Sequence, residues 1–205
     1  MKARNRASRK RRPTTLAVAA AMAFLLIILA GCGLQTDEAN KDLAGANKHR
    51  AEAEAILARF KAFPTDWEAI FNVTRITQAE IDRARQLVQA REQDLNNLEN
   101  TLSQWGKDLD LITKLDVEMK IKEYVRLKKN AIKGWKDYVE MYLTPLIKAY
   151  SGMVEILAYG RPASEQDAKI QEITNQASES AQKLEEIRNL DKQADDYFSQ
   201  NKLGK

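Results

Sequence analysis

The chain has 205 residues, with 33 Lys or Arg against 29 Asp or Glu, one Cys and one His. A single cysteine excludes a disulfide framework, and a single histidine excludes a nitrogen-and-sulfur cage for a metal. The formal net charge of +4 invites a nucleic-acid reading, but seven of the basic residues crowd into the first twelve positions.

Those seven are Lys2, Arg4, Arg6, Arg9, Lys10, Arg11 and Arg12, and no acid stands among them. An unbroken apolar segment, LAVAAAMAFLLIILA, follows from Leu16 to Ala30. A basic stretch, an apolar stretch and small exit residues make a secretory signal. Fifteen helical residues reach ~22 Å, short of a ~30 Å hydrocarbon core, so the segment reads as a cleaved signal.

Leu29-Ala30-Gly31-Cys32 resembles the lipobox of bacterial lipoproteins, Leu-(Ala/Ser)-(Gly/Ala)-Cys. The resemblance implies a diacylglycerol on the Cys32 sulfur, cleavage between Gly31 and Cys32, and loss of residues 1–31. It implies a site on the extracytoplasmic face of a bacterial membrane, and it covers the N-terminus alone. Two acyl chains hold stably where one holds marginally, at ~0.8 kcal/mol per buried CH₂. Without residues 1–31 the chain keeps 26 basic residues against 29 acidic ones, a net charge of about −3. A nucleic-acid partner is not expected. Residues 32–36 form the expected acylated tether, and 37–205 the folded domain.

That domain reads as helix throughout. From Thr36 to Lys61, Leu43, Ala46, Ala53, Leu57 and Phe60 line one face. Pro64 is expected to end this helix, with Thr65 and Glu68 capping a short further segment. Thr77 and Glu80 repeat the capping signature and open a second helix. Its seam is Ile81, Ala84, Val88, Arg91, Leu95, Leu98, Leu102, Trp105, Leu109 and Ile112, spaced alternately by three and four. That spacing is coiled-coil-like, and it carries the helix through Gly106 to a turn near Asp116.

A third helix is predicted from about Val117 towards Tyr159, kinked or restarted at Thr144-Pro145. Pro162 and the Ser164/Asp167 pair announce a fourth, with Ile170, Ile173, Ala177, Leu184, Ile187 and Phe198 facing inward. The expected fold is all-α: an elongated antiparallel bundle of about four helices joined by short connections. An intermolecular coiled coil is the alternative. A 37-residue helix spans ~55 Å, so the domain should be a rod.

Chemistry is sparse. His49, among Lys48, Arg50 and Glu52, reads as a surface residue rather than a base or ligand. The pairs Asp108/Asp110, Glu185/Glu186 and Asp195/Asp196 have spacings that do not share a helical face. No Gly-rich phosphate loop, Gly-x-Ser-x-Gly elbow or His-Glu-x-x-His motif occurs in the chain. No enzyme, cofactor or metal site is expected.

Two faces of the third helix invite partners. Tyr124, Ala131, Trp135, Tyr138 and Tyr142 lie together with Lys128 in their midst. The ordinary reading is core with a snorkelling lysine; the functional one is a ligand face of Lys128, Trp135, Tyr138 and Tyr142. Lys122, Arg126, Lys129, Lys133 and Lys136 form a second stripe, a candidate contact for anionic lipid or wall polymer. Glu165, Glu172, Glu179 and Glu186 make a matching acidic stripe, so both also read as solvated faces. The leading expectation is a lipid-anchored, non-catalytic interaction, adaptor or structural module that meets an envelope protein or polymer. The alternative is a small-ligand receptor with its pocket inside the bundle.

Overall fold

A computed structural model describes residues 35–203. The expected signal segment, with Gly31 and Cys32, lies outside the described residues. The protein is all-α: α1 (Thr36–Phe71), α2 (Gln78–Thr113), α3 (Met119–Tyr138), a π-helical turn (Val139–Leu143), α4 (Thr144–Ala158) and α5 (Ala163–Gln200). Helix α3, the π turn and α4 follow without a break, so four long rods make the bundle. Each holds 36 to 40 residues and is about 54–60 Å long at 1.5 Å per residue.

The rods alternate in direction. The Gln35 amide donates to the Asp116 carbonyl at 2.9 Å, and the Asp116 amide donates to the Gln35 side chain at 3.0 Å. The start of α1 is thereby tied to the α2–α3 turn. Near the same end, the rings of Tyr124 of α3 and Phe198 of α5 meet at a tilt with their centres 5.0 Å apart. The chain therefore enters and leaves the bundle at one end. Among the described residues, no helix is long and apolar enough to cross a membrane.

Helix α2 is the central post. Nine of the ten seam positions are buried, from Ile81 to Ile112; Arg91 is half-buried, and Asp94 joins them. The start of α2 carries the expected cap. Thr77 accepts from the Ala79 amide, while Glu80 reaches back to the Thr77 amide at 3.0 Å and to its hydroxyl. Gly106 does not interrupt α2, and the turn near Asp116 falls where the seam stops.

Helix α1 packs on α2 through Ala39, Ala46 and Ala53, one heptad apart, with Ile56 and Phe63 buried beyond them. Small side chains at that repeat let the two backbones approach closely. The expected break at Pro64 does not occur, for α1 runs through it to Phe71. The missing hydrogen bond to the Phe60 carbonyl is outweighed by an aromatic cluster beyond the proline. Trp67 lies 4.7 Å from Tyr150 and 5.0 Å from Phe71, and Phe63 meets Tyr150 edge-on at 4.6 Å. The Thr65/Glu68 segment is thus the last part of α1.

Pro145 acts as expected. It sits in the first turn of α4, and the π turn just before it absorbs the lost amide. Helix α5 departs further from its sequence reading. Ile187 is buried as expected, beside Ser180 and Ala194, but Ile173, Ala177, Leu184 and Phe198 are half-buried. Ile170 is 54% exposed, so it is not core: near the start of α5 only one side of the helix has a neighbour. The expected Ser164/Asp167 cap is absent, and Pro162 occupies the capping position without a side-chain bond.

Candidate functional site

The bundle is closed on three sides. Helix α1 packs on α2, α2 on α3 and α4, and those on α5, while α1 and α5 have no Cα pair within 8 Å. Between these first and last rods lies a cleft of about 550 Å³. Leu102 and Trp105 from α2, with Trp135 and Tyr138 from α3, form its floor. Ala53, Leu57 and Phe60 give the α1 wall, and Ala177, Ser180, Ala181 and Leu184 the α5 wall. The cause lies in side-chain size: bulky indoles and rings fill the floor, while α5 offers small residues where a closed bundle would place leucines.

Polar groups are few. The Tyr138 hydroxyl and the Ser180 hydroxyl are 2.8 Å apart and share a hydrogen bond. Burial pushes the Tyr138 hydroxyl up; the Ser180 bond and the charge of Arg188 pull the other way without cancelling it. Exposed Lys61, Pro64, Ala181 and Arg188 make the rim.

The end of the cleft nearer the termini is shut by charge. Arg50 from α1 reaches Asp191 at 3.0 Å and Asp195 at 2.9 Å on α5. Lys128 from α3 reaches the same pair at 2.6 and 2.7 Å. Two cations and two carboxylates thus neutralise one another across three helices. Burial raises the Asp195 carboxyl, but hydrogen bonds from Arg50 and Lys128 and their charges overcome it, leaving it below its usual range. Burial lowers the Arg50 guanidinium, and Asp195, Asp191 and Glu54 more than restore it, to above its ordinary value. Burial, with help from Asp195 and Asp191, pushes the nearby Tyr124 hydroxyl up.

The structure divides the candidate ligand face. Trp135 and Tyr138 do line the cleft. Lys128 neither snorkels nor faces a ligand; it is 2% exposed and held by its two aspartates. Tyr142 stacks on Tyr138 at 6.0 Å, outside the lining. The basic stripe keeps Arg126, Lys129, Lys133 and Lys136 exposed and Lys122 half-buried. Arg126 pairs with Glu123 at 2.6 Å and Lys129 pairs with Asp110. His49 is less solvated than expected: its ring lies 3.1 Å from Glu52 and 3.6 Å from Asp108 of α2.

Sequence reasoning missed the pairing of Arg50 with Asp191 and Asp195, because Arg50 lies about 140 residues from both along the chain and meets them only in the bundle. The one available signal was Lys128 itself, a charge on an otherwise apolar face that needs a partner. Among the described residues, no three His, Cys, Asp or Glu side chains gather as a metal site. The arrangement suits binding: an apolar trough with a neutralised end and a cationic rim. Comparison with family models, curated proteins and solved structures finds no match to this chain.

Proposed function

We propose that this chain is a non-catalytic, lipid-anchored binding module of the bacterial cell envelope that holds a small, largely apolar ligand between its first and last helices. The cleft carries this reading. Its volume lies within the ~300–1,000 Å³ of small-molecule sites, and its lining is aromatic and aliphatic with one hydroxyl pair. The anchor rests on the Leu29-Ala30-Gly31-Cys32 order. Helix α1 begins four residues beyond Cys32, a short tether that supports an attached rod.

Two experiments test the two halves. Mass spectrometry of the membrane-extracted protein should show residues 1–31 removed and Cys32 acylated; an intact N-terminus or a bare thiol refutes the anchor. For the cleft, the dye anilinonaphthalene sulfonate should brighten with the folded domain, and Ala177→Trp should remove the signal. Saturation at a hundredfold excess over Kd should stabilise the fold by about 2.7 kcal/mol. A folded domain that neither brightens the dye nor binds an alkyl-chain probe refutes the binding site.

A second reading has its own observation. Lys122, Lys133 and Lys136 share one face of α3 and have no acidic partner within 4 Å among the described residues. Such a face would rest on anionic lipid or wall polymer at ~1 kcal/mol per charge near the surface. Sedimentation of the Cys32→Ser domain with anionic vesicles should be salt-sensitive and lost when these three lysines become Glu. Equal, negligible binding by both proteins at low salt would leave the stripe as solvated surface.

A further inference from the structure

We infer that the ligand is a long-chain anionic amphiphile, its alkyl chain lying lengthwise between α1 and α5 with the headgroup at the rim near Lys61 and Arg188. This rests on the cleft-binding reading above and adds the ligand's shape and charge.

Shape comes first. The lining runs from Arg50 to Pro64 on α1 and from Ala177 to Asp191 on α5. Fourteen residue steps on either helix give about 21 Å at 1.5 Å per step. The trough is therefore longer than a globular small ligand needs and matches the length of one extended alkyl chain. Its walls also disfavour a flat ring. Trp135 and Tyr138 meet edge to face at 80°, so they offer no parallel pair to clasp an aromatic plane. Leu57, Leu102, Leu146 and Leu184 supply the flexible aliphatic contacts that a methylene chain takes.

Charge then places the headgroup. At the end nearer the termini, Arg50, Lys128, Asp191 and Asp195 satisfy one another, so that end offers a headgroup no free partner. Of the charged residues along the trough, Glu54 and Asp191 are engaged by Arg50. Lys61 has no acidic partner within 4 Å among the described residues and is exposed. Arg188 stands exposed at the rim of the opposite wall, paired at 3.0 Å with Glu185, which lies outside the lining. Lys61 is thus the charged lining residue left without an opposite partner among the described residues, and its positive charge selects an anion, with the Arg188 guanidinium on the facing wall. A free fatty acid and a lysophospholipid share this chemistry.

The test uses the indoles already in place. Trp105 and Trp135 belong to the lining, and Trp67 lies in the aromatic cluster at the far end. In a Trp67→Phe background, dibrominated stearate should quench most of the remaining emission, because bromine quenches on contact. Palmitate should reverse the quenching, with decanoate at least tenfold weaker. Hexadecanol should also be at least tenfold weaker than palmitate, and the Lys61→Glu/Arg188→Glu double variant should erase that difference. Ala177→Trp should abolish quenching, and Ala181→Phe, at a solvent-open position, serves if the first variant fails to fold. Palmitate compared with lysophosphatidylglycerol identifies which source is preferred. If hexadecanol equals palmitate, the anionic assignment falls. If the naphthalene dye binds the cleft but brominated stearate neither quenches nor displaces it, the chain assignment falls while the binding site stands. If neither probe binds the folded domain, both fall.

Discussion

A buried lysine is tolerated by losing its proton or by gaining a carboxylate, and Lys128 has gained two. Removing it leaves Asp191 and Asp195 to share Arg50, with like charges facing each other in a partly buried site. Lys128→Met should therefore cost about 3–5 kcal/mol, as broken buried pairs do, and urea unfolding would show it. Asp195 contributes a pH dependence whose sign is fixed. Its folded carboxyl titrates below the ordinary value of 3.8, so its stabilisation is present above that pH. It is lost as the pH falls through the lower folded value. Melting temperatures followed below pH 4 should fall more steeply for the natural chain than for Asp195→Asn. At the opposite extreme stands Gly106, inside α2 where an added methyl meets nothing within 4 Å. Gly106→Ala should stabilise by up to about 1 kcal/mol, a gain readable by the same urea titration.

Among the elements, α1 and α2 show how packing and local rules compete. The Thr77/Glu80 box is local chemistry and forms where the sequence places it. Pro64 is local chemistry too, yet the Phe63, Trp67 and Tyr150 cluster overrides it. Pro64→Ala should restore one hydrogen bond to a helix that is already continuous. An interior proline costs about 3 kcal/mol, and its stiffening of the unfolded chain returns up to about 1. A net gain of about 2 kcal/mol in thermal unfolding is expected, and a loss would mean that the proline shapes the helix after all. Leu98, fully buried in the α2 seam, sets the opposite scale: Leu98→Ala should cost about 2–5 kcal/mol.

At the scale of the molecule, the bundle is a strip of three helix–helix interfaces with an open fourth side. Helix α5 buries only Ser180, Ile187 and Ala194, whereas α2 buries ten residues. Among the described residues, the hydrogen bonds between α1 and α5 all come from Arg50. Amide exchange should consequently be slowest in α2 and fastest in α5. Arg50→Met should speed exchange in α5 around Asp191 and Asp195 while leaving the α2 seam protected. Uniform acceleration would show instead that the four rods open as one unit.

The alternation of three and four along α2, the capping box and the turn signals carry the all-α fold in the sequence alone. Each depends on residues close along the chain, where spacing translates directly into a face. Trp135 and Tyr138 were legible as a face for the same reason, though not as a floor. Only the tertiary structure decided that Lys128 belongs to two aspartates more than sixty residues away, that α1 continues through Pro64, and that α5 stands off from α1. These depend on which side chains meet across the bundle and on the volume they leave between them, quantities that no helical period contains.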